Sequence, residues 1–236
     1  MSHPQADHSP EAIGRLTCTA VARYFAVRRL DLPAPQFLTR IDRFAASLAL
    51  WGRRTNLTAR PDDPVELAFH VIDSVMPLVL VSQPDAAPLR SLLDPDRIVL
   101  DLGSGAGFPG LILAAASDAR FVLLEGRRKR AHFLTVTAAA MGVANVTVDA
   151  IRRDPAELAP TFDIVVGRAF ARPGLFCRSA ARALRPDGIA ILYATTVQAI
   201  DSADAAGLLA CLRLRYEVPR RDTLLARCLL VWRKAA

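Results

Sequence analysis

Lysine is almost missing from this chain: only Lys129 and Lys234 interrupt an arginine-dominated set of thirty basic residues. Cysteine is scarce as well. Cys18, Cys177, Cys211 and Cys228 are widely spaced with no C-x-x-C pair, which argues against a zinc ribbon or a redox dithiol and predicts buried thiols in a reducing compartment. Histidine occurs only at His3, His8, His70 and His132. No nucleophile motif stands out beside them, so neither an acid-base dyad nor a metal site is expected. Apolar residues make up 52% of the chain, yet no uninterrupted run approaches the roughly 20 residues needed to cross a bilayer. The chain therefore reads as soluble, with no membrane partner. Residues 1–10 are polar and lack a basic-then-apolar signal pattern, which predicts a flexible tail over residues 1–15 of a cytoplasmic protein. Internal repeats and low-complexity tracts are absent.

What is present begins with charge. The net charge of +7 is carried by arginine, whose fork suits bidentate phosphate contacts, so a polyanionic partner is modestly favoured. The length of 236 residues suits one main core with a helical extension. Residues 36–51 place Phe37, Ile41, Phe44, Leu48 and Trp51 at helical spacing, the mark of an amphipathic helix. Residues 19–30 and 66–81 are two further helices, with Asn56-Leu57-Thr58-Ala59 as a turn between the last two. Residues 83–96, rich in Pro and Asp, read as a linker. The division is then a helical extension over 16–92 and a core over 93–236. In the core, apolar strands at 98–100, 121–125, 145–151, 162–166 and 189–193 alternate with helices from Pro109, at 127–141 and at 172–184. Arg185-Pro186-Asp187-Gly188 reads as a turn into the fifth strand, and the runs 213–218 and 228–232 form a closing hairpin. Strand-helix alternation predicts an α/β fold, a parallel sheet covered by helices, with the hairpin adding an antiparallel strand.

The first strand runs into Asp101-Leu102-Gly103-Ser104-Gly105-Ala106-Gly107-Phe108-Pro109-Gly110. Glycines belong there because the backbone must turn sharply and let a ligand approach its amides. The stretch from Gly105 to Gly110 formally satisfies G-x-G-x-x-G, so a dinucleotide is one candidate. Glu125, about twenty residues on, can accept hydrogen bonds from ribose hydroxyls, but NAD and S-adenosylmethionine both carry a ribose. Asp101 at the strand end suits a cationic ammonium or sulfonium better than a pyrophosphate. The unit is also followed by only one sheet's worth of strands, with no separate substrate domain. These two features favour S-adenosylmethionine.

Several blocks then occur together: Trp51 with Asn56-Leu57-Thr58-Ala59, His70-Val71-Ile72-Asp73-Ser74, the glycine loop, Lys129-Arg130-Ala131-His132-Phe133-Leu134 and Arg168-Ala169-Phe170-Ala171. In this order they resemble the bacterial small-subunit ribosomal RNA methyltransferase G family, also called glucose-inhibited division protein B. The resemblance runs from about Phe37 to the last strand. It implies a class I, Rossmann-like methyltransferase fold, a seven-stranded sheet ending in a reversed hairpin. It also implies methylation of N7 of a guanosine in 16S rRNA, as naked RNA or within the small ribosomal subunit. The family's cofactor contacts map onto Gly103, Phe108, Glu125, Arg153, Asp154 and Arg168, with Asp101, Gly105 and Gly107 completing the loop. Asp149 rivals Asp154 for the adenine contact. Arg152 and Arg227 match basic family positions. Three departures stand out: Glu125-Gly126 replaces an Asp-Ser pair, Gly167 replaces a serine, and Tyr193-Ala194-Thr195-Thr196-Val197 lacks a lysine found after the fifth strand.

Guanine N7 has a lone pair and no proton, so its methylation needs alignment rather than a general base. Asn56, His70, Arg152, Arg168 and Arg227 are therefore read as substrate-positioning residues. Each also has a plain structural alternative: a turn cap for Asn56, a buried hydrogen-bonded imidazole for His70, and surface or capping arginines for the rest. Arg127-Arg128-Lys129-Arg130 opposes the dipole of the helix it opens, which a phosphate-binding role would explain. Two rival functions remain open: a class I methyltransferase acting on a small molecule or protein, and an RNA- or nucleotide-binding module without turnover. A monomer is expected.

Overall fold

The computed structural model describes residues 7–150, 158–170, 172–195 and 207–235. Three helices come first: α1 (Pro10–Val27), α2 (Phe37–Thr55) and α3 (Pro64–Leu80). The helix α1 starts inside the segment expected to be a tail, because Ser9 caps it by accepting from Ala12 N (3.2 Å) and Pro10 occupies its first turn. An N-cap serine followed by proline is a start signal, and Ser9-Pro10 carries it. The helix α2 buries Phe37, Ile41, Phe44 and Leu48, as their spacing requires. It ends at Asn56, whose φ of 50° and ψ of 50° are left-handed.

The expected linker is a 3-10 helix, Pro84–Leu93. Its buried residues Ala86, Leu89 and Leu92 recur every third position, which is the 3-10 repeat. Proline content disguised this element as a linker.

The sheet comprises β1 (Ile98–Leu102), β2 (Arg120–Leu124), β3 (Val146–Asp149), β4 (Phe162–Arg168), β5 (Leu184–Ala194), β6 (Leu208–Arg220) and β7 (Thr223–Lys234) in the order β3-β2-β1-β4-β5-β7-β6. The first five strands pair in parallel, and β7 runs antiparallel between β5 and β6. Both hairpin strands extend well beyond the runs expected. The strand β5 starts at Leu184, so the expected turn lies within it, marked by Asp187 at φ 64° and a register shift opposite Phe162. The remaining helices are α4 (Gly110–Ala114), α5 (Arg128–Met141) and α6 (Pro173–Ala183), with α5 stopped at left-handed Gly142.

One continuous core joins α1, α2 and α3 to α4, α5 and one sheet face, bringing Phe44, Val75, Ile112, Phe133 and Ile164 into a single cluster. The boundary at 92 and 93 thus separates chain segments that share a core. The second cluster, with Phe176, Leu184, Leu192 and Trp232, lies under α6. Of the cysteines, Cys177 and Cys228 are buried, Cys18 is half-buried and Cys211 is exposed, so burial holds for two of the four. Among the described residues no single helix is long and apolar enough to cross a membrane.

The glycine at 167 has a local cause. A Cβ there would stand 2.6 Å from the ring of Phe176, which is fully buried, so the ring occupies the space a serine would need. Gly167→Ser is expected to cost about 1–3 kcal/mol, the usual range for overpacking, measured by denaturant unfolding. Pairing it with Phe176→Leu should recover most of the loss; no loss in the single variant would contradict this packing account.

Candidate active site

All five parallel strands carry their carboxyl ends to one edge of the sheet, and the crossover between β1 and β4 is where such sheets open a crevice. Asp101 and the glycine loop leave β1 there, Glu125 follows β2, Asp149 ends β3, Arg168 ends β4 and Tyr193 lies near the end of β5.

The loop is shaped by its glycines. Gly103, Gly105 and Gly107 have φ values of 72°, 57° and 93°, a region open to glycine and strained for other residues. A Cβ at Gly103 would also meet the Phe170 ring at 2.7 Å, which ties the first glycine to the Arg168-Ala169-Phe170 block. Asp101 is fully buried, and its Oδ2 accepts from Gly110 N at 3.0 Å, anchoring the start of α4 to the strand end. Its Oδ1 is buried with no partner. Burial pushes the Asp101 carboxyl up to about 6, against the opposing pull of Ser104, the Gly110 amide and Arg168. Glu125 folds back on the loop: Oε2 accepts from Gly105 N (3.0 Å) and Oε1 from Arg127 N (2.9 Å). The carboxylate thus stands at the N-terminus of α5, where negative charge is favourable, and each oxygen retains a second lone pair.

Phe108 is the centre of a ring cluster. Its ring lies 5.2 Å from Phe44 and 5.1 Å from His70, with the Arg168 guanidinium carbon 4.7 Å from its centroid. Burial and the nearby Arg168 charge push the His70 imidazole down to about 4, despite Glu66 and Asp73. It is therefore neutral at pH 7, with Nε2 3.6 Å from Glu66 Oε1 and a buried, unpartnered Nδ1.

The expected arginines converge on a residue not expected. Arg168 Nη1 donates to Asp73 Oδ2 (3.1 Å), and Arg227 donates from Nε and Nη2 to the two oxygens (3.0 Å each). Tyr216 Oη adds a bond to Oδ1 (2.7 Å). Beside this cluster Arg220 pairs with Glu66 through both carboxylate oxygens, and Tyr193 Oη donates to Ser74 O (2.6 Å). A signal for the missed carboxylates exists: Glu66, His70, Asp73 and Ser74 form a polar stripe at i, i+4, i+7 and i+8 on an otherwise apolar helix.

Asn56 lies apart, its side chain exposed and its carbonyl accepting from Arg130 Nη2 (2.5 Å). This tethers α2 to the basic start of α5, where Arg127, Arg128 and Lys129 are exposed and make no ion pair among the described residues. Thr195 is exposed just past β5. Arg152, Arg153, Asp154 and Thr196 lie outside the described residues.

A family model described as rRNA small subunit methyltransferase G matches residues 38–210. The chain belongs to this family. It is 35% identical over 225 residues to the ribosomal RNA small subunit methyltransferase G of Anaeromyxobacter sp. (strain Fw109-5), covering 91% of this chain and 96% of the relative. The similarly named protein of Rhodospirillum centenum is 37% identical over 178 residues, 68% and 75% of the two chains. Among solved structures, a protein provisionally described as a sarcosine dimethylglycine methyltransferase from Galdieria sulphuraria superposes with a TM-score of 0.53 at 14% identity, covering 73% of this chain and 88% of that one. A structure from the study of disulfide-to-thioacetal conversion in echinomycin biosynthesis gives 0.52 at 16% identity, covering 65% and 82%. These two likenesses concern the fold, which is that of class I methyltransferases.

The family's cofactor is S-adenosylmethionine, and the residues present fit it. Buried Asp101 Oδ1 is an acceptor without a donor, matching a cationic group, and a Cβ at Gly105 would meet nothing nearer than Gly103 O at 3.7 Å, which leaves room beside the loop there. Ionised Asp101 should attract that cation and protonated Asp101 should not. Affinity for S-adenosylmethionine is therefore expected to weaken about tenfold per pH unit below about pH 6 and to be level above it, as read by calorimetry. Asp101→Asn should give a weak, level profile; a level profile in the wild type would contradict a cation facing Asp101.

Proposed function

We propose that this chain transfers a methyl group from S-adenosylmethionine to N7 of a guanosine in 16S rRNA of the small ribosomal subunit, acting as a cytoplasmic monomer. The observation that carries the reading is the meeting of the glycine loop, a neutral His70 and Arg168 at the carboxyl edge of the sheet, in a chain of the rRNA small subunit methyltransferase G family.

Gly103, Gly105, Gly107 and Phe108 would hold the cofactor, with Asp101 facing its cationic end and Glu125 its ribose. Arg153 and Asp154, or Asp149 in place of the latter, would reach the adenosine. When bound, the cofactor supplies an electrophilic methyl group on a sulfonium. The protein's task is orientation, because N7 has no proton to remove. His70 suits this task as a neutral imidazole: a charged one would repel both the methyl donor and the positive charge that builds on the purine. Its Nδ1 has no partner among the described residues. Arg168 is buried against Asp73, which it shares with Arg227, so its charge is partly offset where it faces the cleft. Arg152 and Arg227 would contact the base or the RNA backbone, and Asn56 would do so from the rim beside Arg130.

Phosphate contacts fall to the rim. Arg127, Arg128 and Lys129 offer three exposed cations at the mouth of the cleft, next to Glu125. Their mutual repulsion and their conflict with the α5 dipole are relieved when a polyanion binds.

Two measurements test the reading. Incubation with methyl-labelled S-adenosylmethionine and either small subunits or naked rRNA should give one 7-methylguanosine, mapped by primer extension after cleavage. Cofactor binding without label in either RNA would sink the rRNA assignment and favour the module without turnover. For the rim, Arg128→Ala combined with Lys129→Ala should lower the slope of log affinity against log salt by about two. An unchanged slope would remove these side chains from the interface.

A further inference from the structure

Asp73 is 1% exposed, yet its carboxylate is crowded with donors. It receives Arg168 Nη1, Arg227 Nε and Nη2, and Tyr216 Oη at 2.7–3.1 Å. An ionised carboxylate offers about four lone-pair sites, so Asp73 is saturated. Burial pushes its carboxyl up, but the Arg168 and Arg227 charges outweigh burial and hold it below the usual range, so it is ionised at neutral pH. The donors come from three strands: Arg168 ends β4, Tyr216 lies on β6 and Arg227 on β7. Both guanidiniums are nearly buried, at 12% and 11% exposure. Among the described residues Arg168 engages only through Nη1, which leaves its remaining donors beside Phe108.

Two guanidiniums on one carboxylate leave a net charge of about +1. Without Asp73 the same wall would carry +2, in a low-dielectric setting where such charges act strongly. The reaction uses a cationic methyl donor and leaves a cationic base, so excess positive charge opposes both binding and turnover. We propose that Asp73 is a positioning residue for methyl transfer, fixing the forks of Arg168 and Arg227 and setting the charge of the wall that faces the sulfonium. The inference rests on the reading of the chain as a methyltransferase, and it makes the reversed hairpin part of the active-site wall.

The test compares affinities for S-adenosylmethionine and S-adenosylhomocysteine, which differ by the methyl group and by the charge on sulfur. Calorimetry on the full chain below its unfolding temperature should show Asp73→Asn weakening the charged ligand about tenfold more than the neutral one. A purely structural role would weaken both equally, and an unchanged ratio in folded Asp73→Asn overturns the proposal. If that variant does not fold, Arg227→Gln supplies the reverse experiment. Removing a positive charge should shift the ratio toward the charged ligand, and an unmoved ratio again overturns the proposal. In the same preparations Asp73→Asn should lower kcat/KM for methyl transfer about a hundredfold, as expected when aligned groups are displaced. Absence of transfer by the wild type would count against the rRNA reading alone, because the affinity ratio needs no RNA.

Discussion

A carboxylate withdrawn from water keeps its charge only if donors replace the lost solvation, and the architecture around Asp73 follows from that demand. The donors cannot come from α3 itself, whose amides are used in the helix. They come from β4, β6 and β7, so the ion cluster fixes the N-terminal helices against the sheet at the end where the glycine loop emerges. The Glu66 pairing with Arg220 repeats the arrangement about two turns earlier on the helix. Breaking such a cluster by removing one partner is costly, because the remaining charges stay buried.

The second constraint is steric. The loop after β1 is held between Asp101, which grips Gly110 N, and the rings of Phe170 and Phe44, which press on Gly103 and Gly107. A side chain at Gly103 would collide with the Phe170 ring, and one at Gly107 would crowd Leu111 and the Phe44 ring. Loop shape, the position of Arg168 and the packing of α2 are therefore linked through contacts of aromatic residues. Phe108 passes this linkage to His70 and Arg168.

Much of the fold was legible because it depends on local patterns: the helical spacing of Phe37, Ile41, Phe44 and Leu48, the apolar strands, and the glycine loop between strand and helix. The errors have local causes. Ser9-Pro10 is a cap within a polar stretch that resembles a tail, Pro84 and Pro88 make a 3-10 helix resemble a linker, and Asp187 hides a strand start behind turn chemistry. Of the site, the arginines at 168 and 227 were legible as candidates, but their common partner was not. Asp73 is more than 140 positions from both Tyr216 and Arg227, and nothing in spacing alone pairs it with them.

The sequence by itself determined a glycine-lined nucleotide loop, alternating strands and helices, a reversed closing hairpin and the ordered blocks of a ribosomal RNA methyltransferase family. These rest on short-range geometry, where neighbours along the chain are neighbours in space. Only the tertiary structure decided that Glu125 folds onto Gly105, that Phe176 forces glycine at 167, and that Asp73 gathers two arginines from separate strands. Those outcomes depend on which side chains share a buried volume, and long-range packing rather than local pattern sets that choice.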